Sequence, residues 1–336
     1  MSWLPQIPLG SGAAALVAWI KAHLPGLLAG IQSTFNTAAT TITDVVLLLH
    51  PLLVALLVAL LAAWVRSLWF AAFALVGLVL TMSMGLWTQT VQTLSMVLVA
   101  TLVALVIGIP LGILAAKSSA VSVVLRPVLD FLQTIPSLVY LVPVVIFFSI
   151  GYAPGIVATV VFAIAPGIRL TELAIRQVDA ETVEAGEAFG GTPWQILRGI
   201  QLPLGLPTIM AGVNQVIMLA LSMVVIAGFV GAPGLGQSVT SAFSRVDVAQ
   251  GFEAGLSIVI LAIVLDRLTG AVGQPTPHSL ASRLRGRRRR AAQAAVAAEA
   301  SSTAGAGSTA GGAVTDAPQR TGTAEPEATG APEPVH

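Results

Sequence analysis

Apolar runs of membrane-spanning length recur along this chain, and they leave it few ways to fold. Val45 to Ala63, Leu68 to Leu86, Val91 to Ala116, Val128 to Ile150, Ala153 to Ile168, Thr208 to Val230 and Gly251 to Leu265 are dominated by aliphatic residues. About 20 helical residues cross the hydrocarbon of a bilayer. The runs therefore predict an all-α, polytopic transmembrane helical bundle with about seven spans. Of the 336 residues, 56% are hydrophobic and only 9% charged, with a mean hydropathy of +0.90; a soluble domain carries roughly 25% charge. No soluble core could hide this much apolar surface, so lipid is the solvent. His50-Pro51 marks irregular backbone within the first run, and Pro136 and Pro143 are expected to kink the fourth.

The ends of the runs differ in charge. With seven spans, Arg66, Lys117, Arg126, Arg169, Arg176, Arg198 and Arg267 fall on one side with the C-terminal tail, and only Lys21 and Arg245 on the other. Positive charge is retained on the cytoplasmic side. This predicts an N-terminus outside and a C-terminus in the cytoplasm, in a multi-pass protein of a bacterial plasma membrane. Leu9 to Leu28 is moderately apolar but broken by Gly and Pro, which fits a short surface helix better than an extra span. Residues 1–44 read as an extracytoplasmic segment and 45–90 as two additional spans, followed by a core over 91–270. The tail, 271–336, opens on an Arg-rich run, Arg283 to Arg290, and continues with almost no large apolar residue, a composition that predicts disorder. The Arg run reads as a topology anchor that meets lipid headgroups, not as a nucleic-acid site.

One interval breaks the apolar pattern. Residues 169–207 hold Glu172, Asp179, Glu181, Glu184 and Glu187 together with Arg176 and Arg198. Ile175, Val178, Thr182, Ala185 and Phe189 recur at spacings of three and four, which places them on one face of a helix. Gly190-Gly191 ends that helix. Thr192, Pro193 and Gln195 supply the N-cap, first and third positions of a second one, and Leu202-Pro203 and Pro207 are expected to stop it. The result is a capped helix pair with an exposed seam of small residues at Ala185, Gly186 and Gly190. It is either a hairpin that packs under the bundle or a docking element whose acidic face meets a basic groove on a soluble partner.

The interval resembles the EAA loop of ATP-binding-cassette (ABC) importer permeases. That signature is Glu-Ala-Ala, three residues, Gly, nine residues, Ile, one residue, Leu-Pro. Here it reads Glu184-Ala185-Gly186, then Gly190, then Ile200, Leu202 and Pro203, with Gly186 in place of the second Ala. The resemblance covers about Val91 to Leu265. The segments Asp130 to Ser137, Gly190 to Gln215 and Ala220 to Ala227 are most similar to permeases for glycine betaine, proline betaine, choline and related osmoprotectants. It implies a type I-like ABC importer permease fold, with the loop docking a cytoplasmic ATPase. Two permease chains, most simply a homodimer, would assemble with two ATPase chains, and an extracytoplasmic solute-binding protein would deliver cargo. The alternatives are a permease of this kind for another small amine or amino acid, or a membrane channel or adaptor that uses the loop for assembly only.

The chain lacks the Gly-rich phosphate loop that would end in Gly-Lys-Ser or Gly-Lys-Thr. Hydrolysis of ATP-Mg is therefore expected in the partner, with no cofactor, metal or catalytic group here. With 0 Cys and 4 scattered His, the chain has no thiol nucleophile and no His pair at metal-ligand spacing. Asp130 and Asp266 near one end of the spans, and Glu253 near the other, read as end-pairing residues. Tyr140, Asn214 and Gln215 are candidates for the translocation path, with core packing or hydrogen bonding between helices as the competing roles.

Overall fold

A computed structural model describes residues 9–273 as a bundle of helices; the tail beyond, with its Arg-rich run, lies outside the described residues. α1 (Leu9–His23) turns by 83° into α2 (Pro25–Leu48). α3 (Pro51–Val65) and α4 (Leu68–Ser83) form an antiparallel pair, and α5 (Trp87–Lys117) is a helix of 31 residues. α6 (Ser119–Thr134) and α7 (Ser137–Phe148) meet at a 97° bend, and α8 (Tyr152–Arg176) returns to the loop end. The loop contains α9 (Ala180–Ala188) and α10 (Pro193–Ile196). A π turn at Leu197–Gln201 leads into α11 (Leu202–Ala227), and α12 (Leu235–Arg245) and α13 (Val248–Gly273) close the bundle.

Four helical segments are long and apolar enough to cross a membrane, and six result if each bent pair counts as one span. The seven expected runs map onto this unevenly. Val45 to Ala63 is split: Val45 to Leu48 completes α2, and α3 begins at Pro51. Pro51 has no N–H to continue a helix from α2 but suits the first turn of a new one, and the His50 side chain accepts the Leu52 N–H there. α3 and α4, of 15 and 16 residues, are shorter than the other spans. α1 falls within the short helix expected over Leu9 to Leu28 but ends at His23, whereas α2 and α12 are helices that hydropathy did not separate. α2 lies over the end of the bundle opposite the loop, where Gln32 donates to the Phe148 carbonyl and Asn36 accepts the Ala153 N–H.

α8 is the central helix, packed against α5 on one side and α11 on the other. Both crossings depend on glycine. A Cβ at Gly112 of α5 would stand 2.6 Å from the Ile168 carbonyl oxygen, and one at Gly205 of α11 would stand 2.9 Å from the Ala174 carbonyl oxygen. Helices in lipid associate through such close backbone approach, because leucine is no better hidden against protein than against acyl chains. Accordingly Leu52, Leu56 and Leu60 of α3 remain half exposed, while Ala55, Ala59 and Ala62 are buried.

α8 also overruns its expected end. The apolar run stops at Ile168, yet the helix continues to Arg176. It can do so because each charge on the added turns has a partner: Arg169 pairs with Asp130, and Glu172 with Arg176 and Ser122. Leu202-Pro203 and Pro207 do not stop a helix either. The Leu202 N–H bonds five residues back to the Leu197 carbonyl, so the backbone is already widened where Pro203 lacks its N–H, and the helical path runs continuously from Pro193 to Val230 over 38 residues. A π turn of this kind absorbs the misfit of a proline ring with the preceding turn.

Gly112→Leu should push α5 off α8 and lower stability by about 1–3 kcal/mol or more, the range for overpacking. Gly255→Leu, where a Cβ meets nothing within 4 Å, should leave it unchanged. Thermal unfolding of both variants in one detergent checks the contrast.

Candidate functional site

The loop between α8 and α11 is built by local capping chemistry. Asp179 accepts the Glu181 N–H and starts α9. At its other end the Gly190 N–H bonds to Glu187 and the Gly191 N–H to Gly186. These two bonds, with Gly190 at φ +78°, form a Schellman stop. Thr192 and Gln195 then make the capping box expected for α10.

The faces of the pair differ from the expected ones. The predicted single helix through Ile175 and Phe189 is interrupted at Gln177 to Asp179, because α8 keeps Ile175 buried in the bundle while Asp179 caps a new helix. Inside α9 the inward residues are Val183 and Gly186, and Thr182, Ala185 and Phe189 face outward. Gly186 therefore does not belong to an exposed seam. A Cβ on it would lie 2.7 Å from Ile200 Cδ1, so the glycine lets α9 close onto the π turn. Glu184, Ala185 and Gly190 are exposed, Ile200 and Leu202 half-buried, and Pro203 exposed. Phe189 is 92% and Trp194 64% exposed, and these two rings flank the elbow at Gly190. The exposed surface is thus an aromatic knob bordered by Glu181, Glu184 and Glu187.

Both ends of the hairpin are latched to the last turn of α5. Arg176 donates to the Ala115 carbonyl at 2.7 Å, and Lys117 to the Pro193 carbonyl at 3.3 Å. Glu172, buried beneath the loop, accepts from Ser122 at 2.7 Å and pairs with Arg176 at 2.9 Å and with Arg126 at 3.6 Å. By position alone Glu172 belongs with the loop acids and Arg126 with the charges that set topology. The one available signal was the spacing of Glu172 and Arg176, an i, i+4 pair in the favourable order.

The three path candidates lie apart from one another in role. Tyr140 is buried, and its hydroxyl donates to the Leu132 carbonyl. That carbonyl is the one left without a helical donor by Pro136, so Tyr140 braces the α6–α7 bend. It also meets Phe162 edge to face. Asn214 donates to Asp266 at 2.7 Å and accepts from Thr269 at 2.9 Å, which ties α11 to α13. Gln215 is exposed on the outside of the single chain. Among the described residues no three His, Asp or Glu converge as metal ligands.

Residues 108–274 match the family described as binding-protein-dependent transport system inner membrane component. The chain is 47% identical over 279 residues to the glycine betaine/carnitine transport permease protein GbuB of Listeria monocytogenes serotype 1/2a (strain 10403S), covering 80% of this chain and 96% of that protein. It is 44% identical over 284 residues to the glycine betaine/proline betaine transport system permease protein ProW of Escherichia coli (strain K12), covering 84% of this chain and 78% of that protein. Among solved structures it is similar to a chain of the MetNI methionine ABC transporter in an inward-facing conformation, with TM-score 0.49 and 25% identity over 57% of this chain and 94% of that one.

Gly186→Ala should be tolerated, because Ile200 Cδ1 is the free end of a side chain that can turn aside, and α9 gains about 1 kcal/mol of helix propensity. Gly186→Leu should lift α9 off the π turn. Amide exchange across residues 180–190, slowed in the first variant and accelerated in the second, checks both.

Proposed function

We propose, since the chain belongs to the family of binding-protein-dependent transport system inner membrane components and is a permease subunit related to those of glycine betaine importers, that it moves glycine betaine, proline betaine, choline or a related compatible solute inward at the expense of ATP. The observation that carries this reading is the loop. The residues that spell Glu184 to Pro203 fold into a capped hairpin that projects an aromatic knob from a multi-span bundle. A bundle has no folding reason to expose Phe189 and Trp194 outside lipid, whereas a soluble partner with an apolar hollow and a basic border would cover them.

That partner is a cytoplasmic ATPase, which binds ATP-Mg and drives the knob. Glu184, Ala185, Gly186 and Gly190 form the docked helix and its elbow, and Ile200, Leu202 and Pro203 the shoulder on which it rests. A second copy of the chain completes the pathway, and a solute-binding protein delivers cargo at the opposite end. Tyr140, Asn214 and Gln215 contribute to the pathway, the first two by holding its helices at the Pro136 bend and the α11–α13 contact. The domain divisions follow, with residues 91–270 as the permease core and 1–44 and 45–90 as peripheral additions. The loop end is cytoplasmic and the N-terminus outside, in a bacterial plasma membrane. Seven of the nine Lys and Arg in residues 9–273, Arg66 and Lys117 to Arg267 without Arg245, support that orientation.

Glu184→Trp and Gly190→Trp should leave membrane insertion intact but reduce ATPase co-purification and uptake by about tenfold, the scale of one interface anchor lost. Normal assembly and normal uptake in both variants would refute the docking role. Uptake of labelled glycine betaine by the reconstituted complex, competed with choline, carnitine, ectoine and amino acids, identifies the cargo; competition by an amino acid alone would replace the osmoprotectant reading. Truncation after Arg290 should leave uptake at the level of the full chain.

A further inference from the structure

The contact between α6 and α8 is unlike the others made by α8. Against α5 and α11 it is close-packed through glycine, but α6 touches it through a small apolar contact centred on Leu129, Ala165 and Ile168. Beside that contact lies an open-sided cavity of about 360 Å³ with walls that include Leu125, Leu170 and Leu173. What ties the two helices across the gap is charge. Glu172 is 8% exposed and the one charged residue among those described that is buried. It holds Ser122 and Arg126 of α6, and Arg169 of α8 holds Asp130 farther along α6. On α6 the two partners of Glu172 lie eight and four residues before Asp130, and on α8 Glu172 lies three residues after Arg169. α6 is thus fastened to α8 by polar side chains alongside a small apolar contact.

Glu172 is equally tied to the loop. Arg176, its third partner, is the last residue of α8 and is itself fixed to the Ala115 carbonyl, and Asp179 caps α9 three residues later. We propose that Glu172 is a positioning residue that passes displacement of the loop hairpin into α6, and through α6 into the α6–α7 bend at Pro136. This rests on the reading of the hairpin as the ATPase-docking element. Besides the latches to α5, a force on the hairpin has two ways into the bundle. One is the continuous helix from Pro193 into α11, which moves as a rod. The other is Arg176–Glu172–Ser122, which moves a helix joined to α8 otherwise by Arg126, by the Arg169–Asp130 pair and by a small apolar contact. A buried carboxylate stripped of its partners is costly, so α6 follows Glu172 instead of sliding past it. The bend that α6 would move is the one Tyr140 braces by binding the Leu132 carbonyl.

Glu172→Gln keeps the shape of the side chain and an acceptor for Ser122 but removes the charge that holds Arg126 and Arg176. In the complete complex reconstituted in lipid, this variant should retain its ATPase and hydrolyse ATP while uptake per ATP falls by about tenfold, the scale of one charge-assisted hydrogen bond. Arg126→Gln should act in the same direction but less, because Arg126 is 67% exposed and 3.6 Å away. The chain has 0 Cys, so spin labels at Val124→Cys on α6 and Leu102→Cys on α5 report α6 movement directly. ATP should change that distance in the otherwise native complex and leave it fixed in Glu172→Gln. Native uptake per ATP and a native distance change in Glu172→Gln would overturn the proposal. If that variant does not accumulate, the same result in Arg126→Gln and Ser122→Ala would overturn it. Absence of any ATPase from the purified native chain has a different signature and overturns the docking reading together with this one.

Discussion

Close backbone contact around α8 is the constraint on which the rest of the bundle depends. In water a helix is driven inward by its apolar stripe. In lipid that drive is absent, and helices associate where small residues let their backbones approach. Gly112 and Gly205 set α5 and α11 against α8 with no room for a methyl group, and this fixes the places from which the loop leaves and returns. The large aliphatic residues are spread over the outside. Leu102, Val106 and Leu114 of α5 stay exposed, while Ala100, Ala104 and Gly108 on the same helix are buried.

The second requirement of lipid is that no backbone polar group be left bare. Prolines inside spans create such groups, and each one with a structural consequence here has an answer. The Leu132 carbonyl, orphaned by Pro136, is taken by the Tyr140 hydroxyl. Around Pro203 the helix widens into a π turn. The first arrangement gives a sharp bend and the second a continuous rod, so two prolines of the same chemistry produce opposite mechanical elements. The loop hairpin sits between them, joined to the rod through α10 and to the bend through Glu172 and α6.

At the loop itself, local and long-range forces divide the work. The caps at Asp179, Gly190 and Thr192 set the ends of the hairpin's two short helices by local hydrogen bonds and backbone angle alone. Its placement depends on two side chains that reach across from neighbouring helix ends, Arg176 to Ala115 and Lys117 to Pro193. Phe189 and Trp194 remain exposed on the hairpin, the surface on which the proposed ATPase would bear.

Local rules read from the sequence determined what lay within a few residues: the apolar character of the bundle's helices, the Gly190 stop, the Thr192–Gln195 capping box, the break at His50-Pro51 and the motif from Glu184 to Pro203. Each rests on hydropathy, a fixed φ or a neighbouring hydrogen bond, and none needs a distant partner. Only the tertiary structure decided where α8 ends, which face of α9 turns inward and whether a proline bends or continues a helix. Those outcomes depend on what stands opposite: Ser122 and Asp130 let charged residues extend α8, Ile200 gives Gly186 a surface to close on, and Tyr140 supplies the hydroxyl that makes the Pro136 bend tenable. The partners lie from 8 to 50 residues away along the chain, beyond the reach of any periodicity.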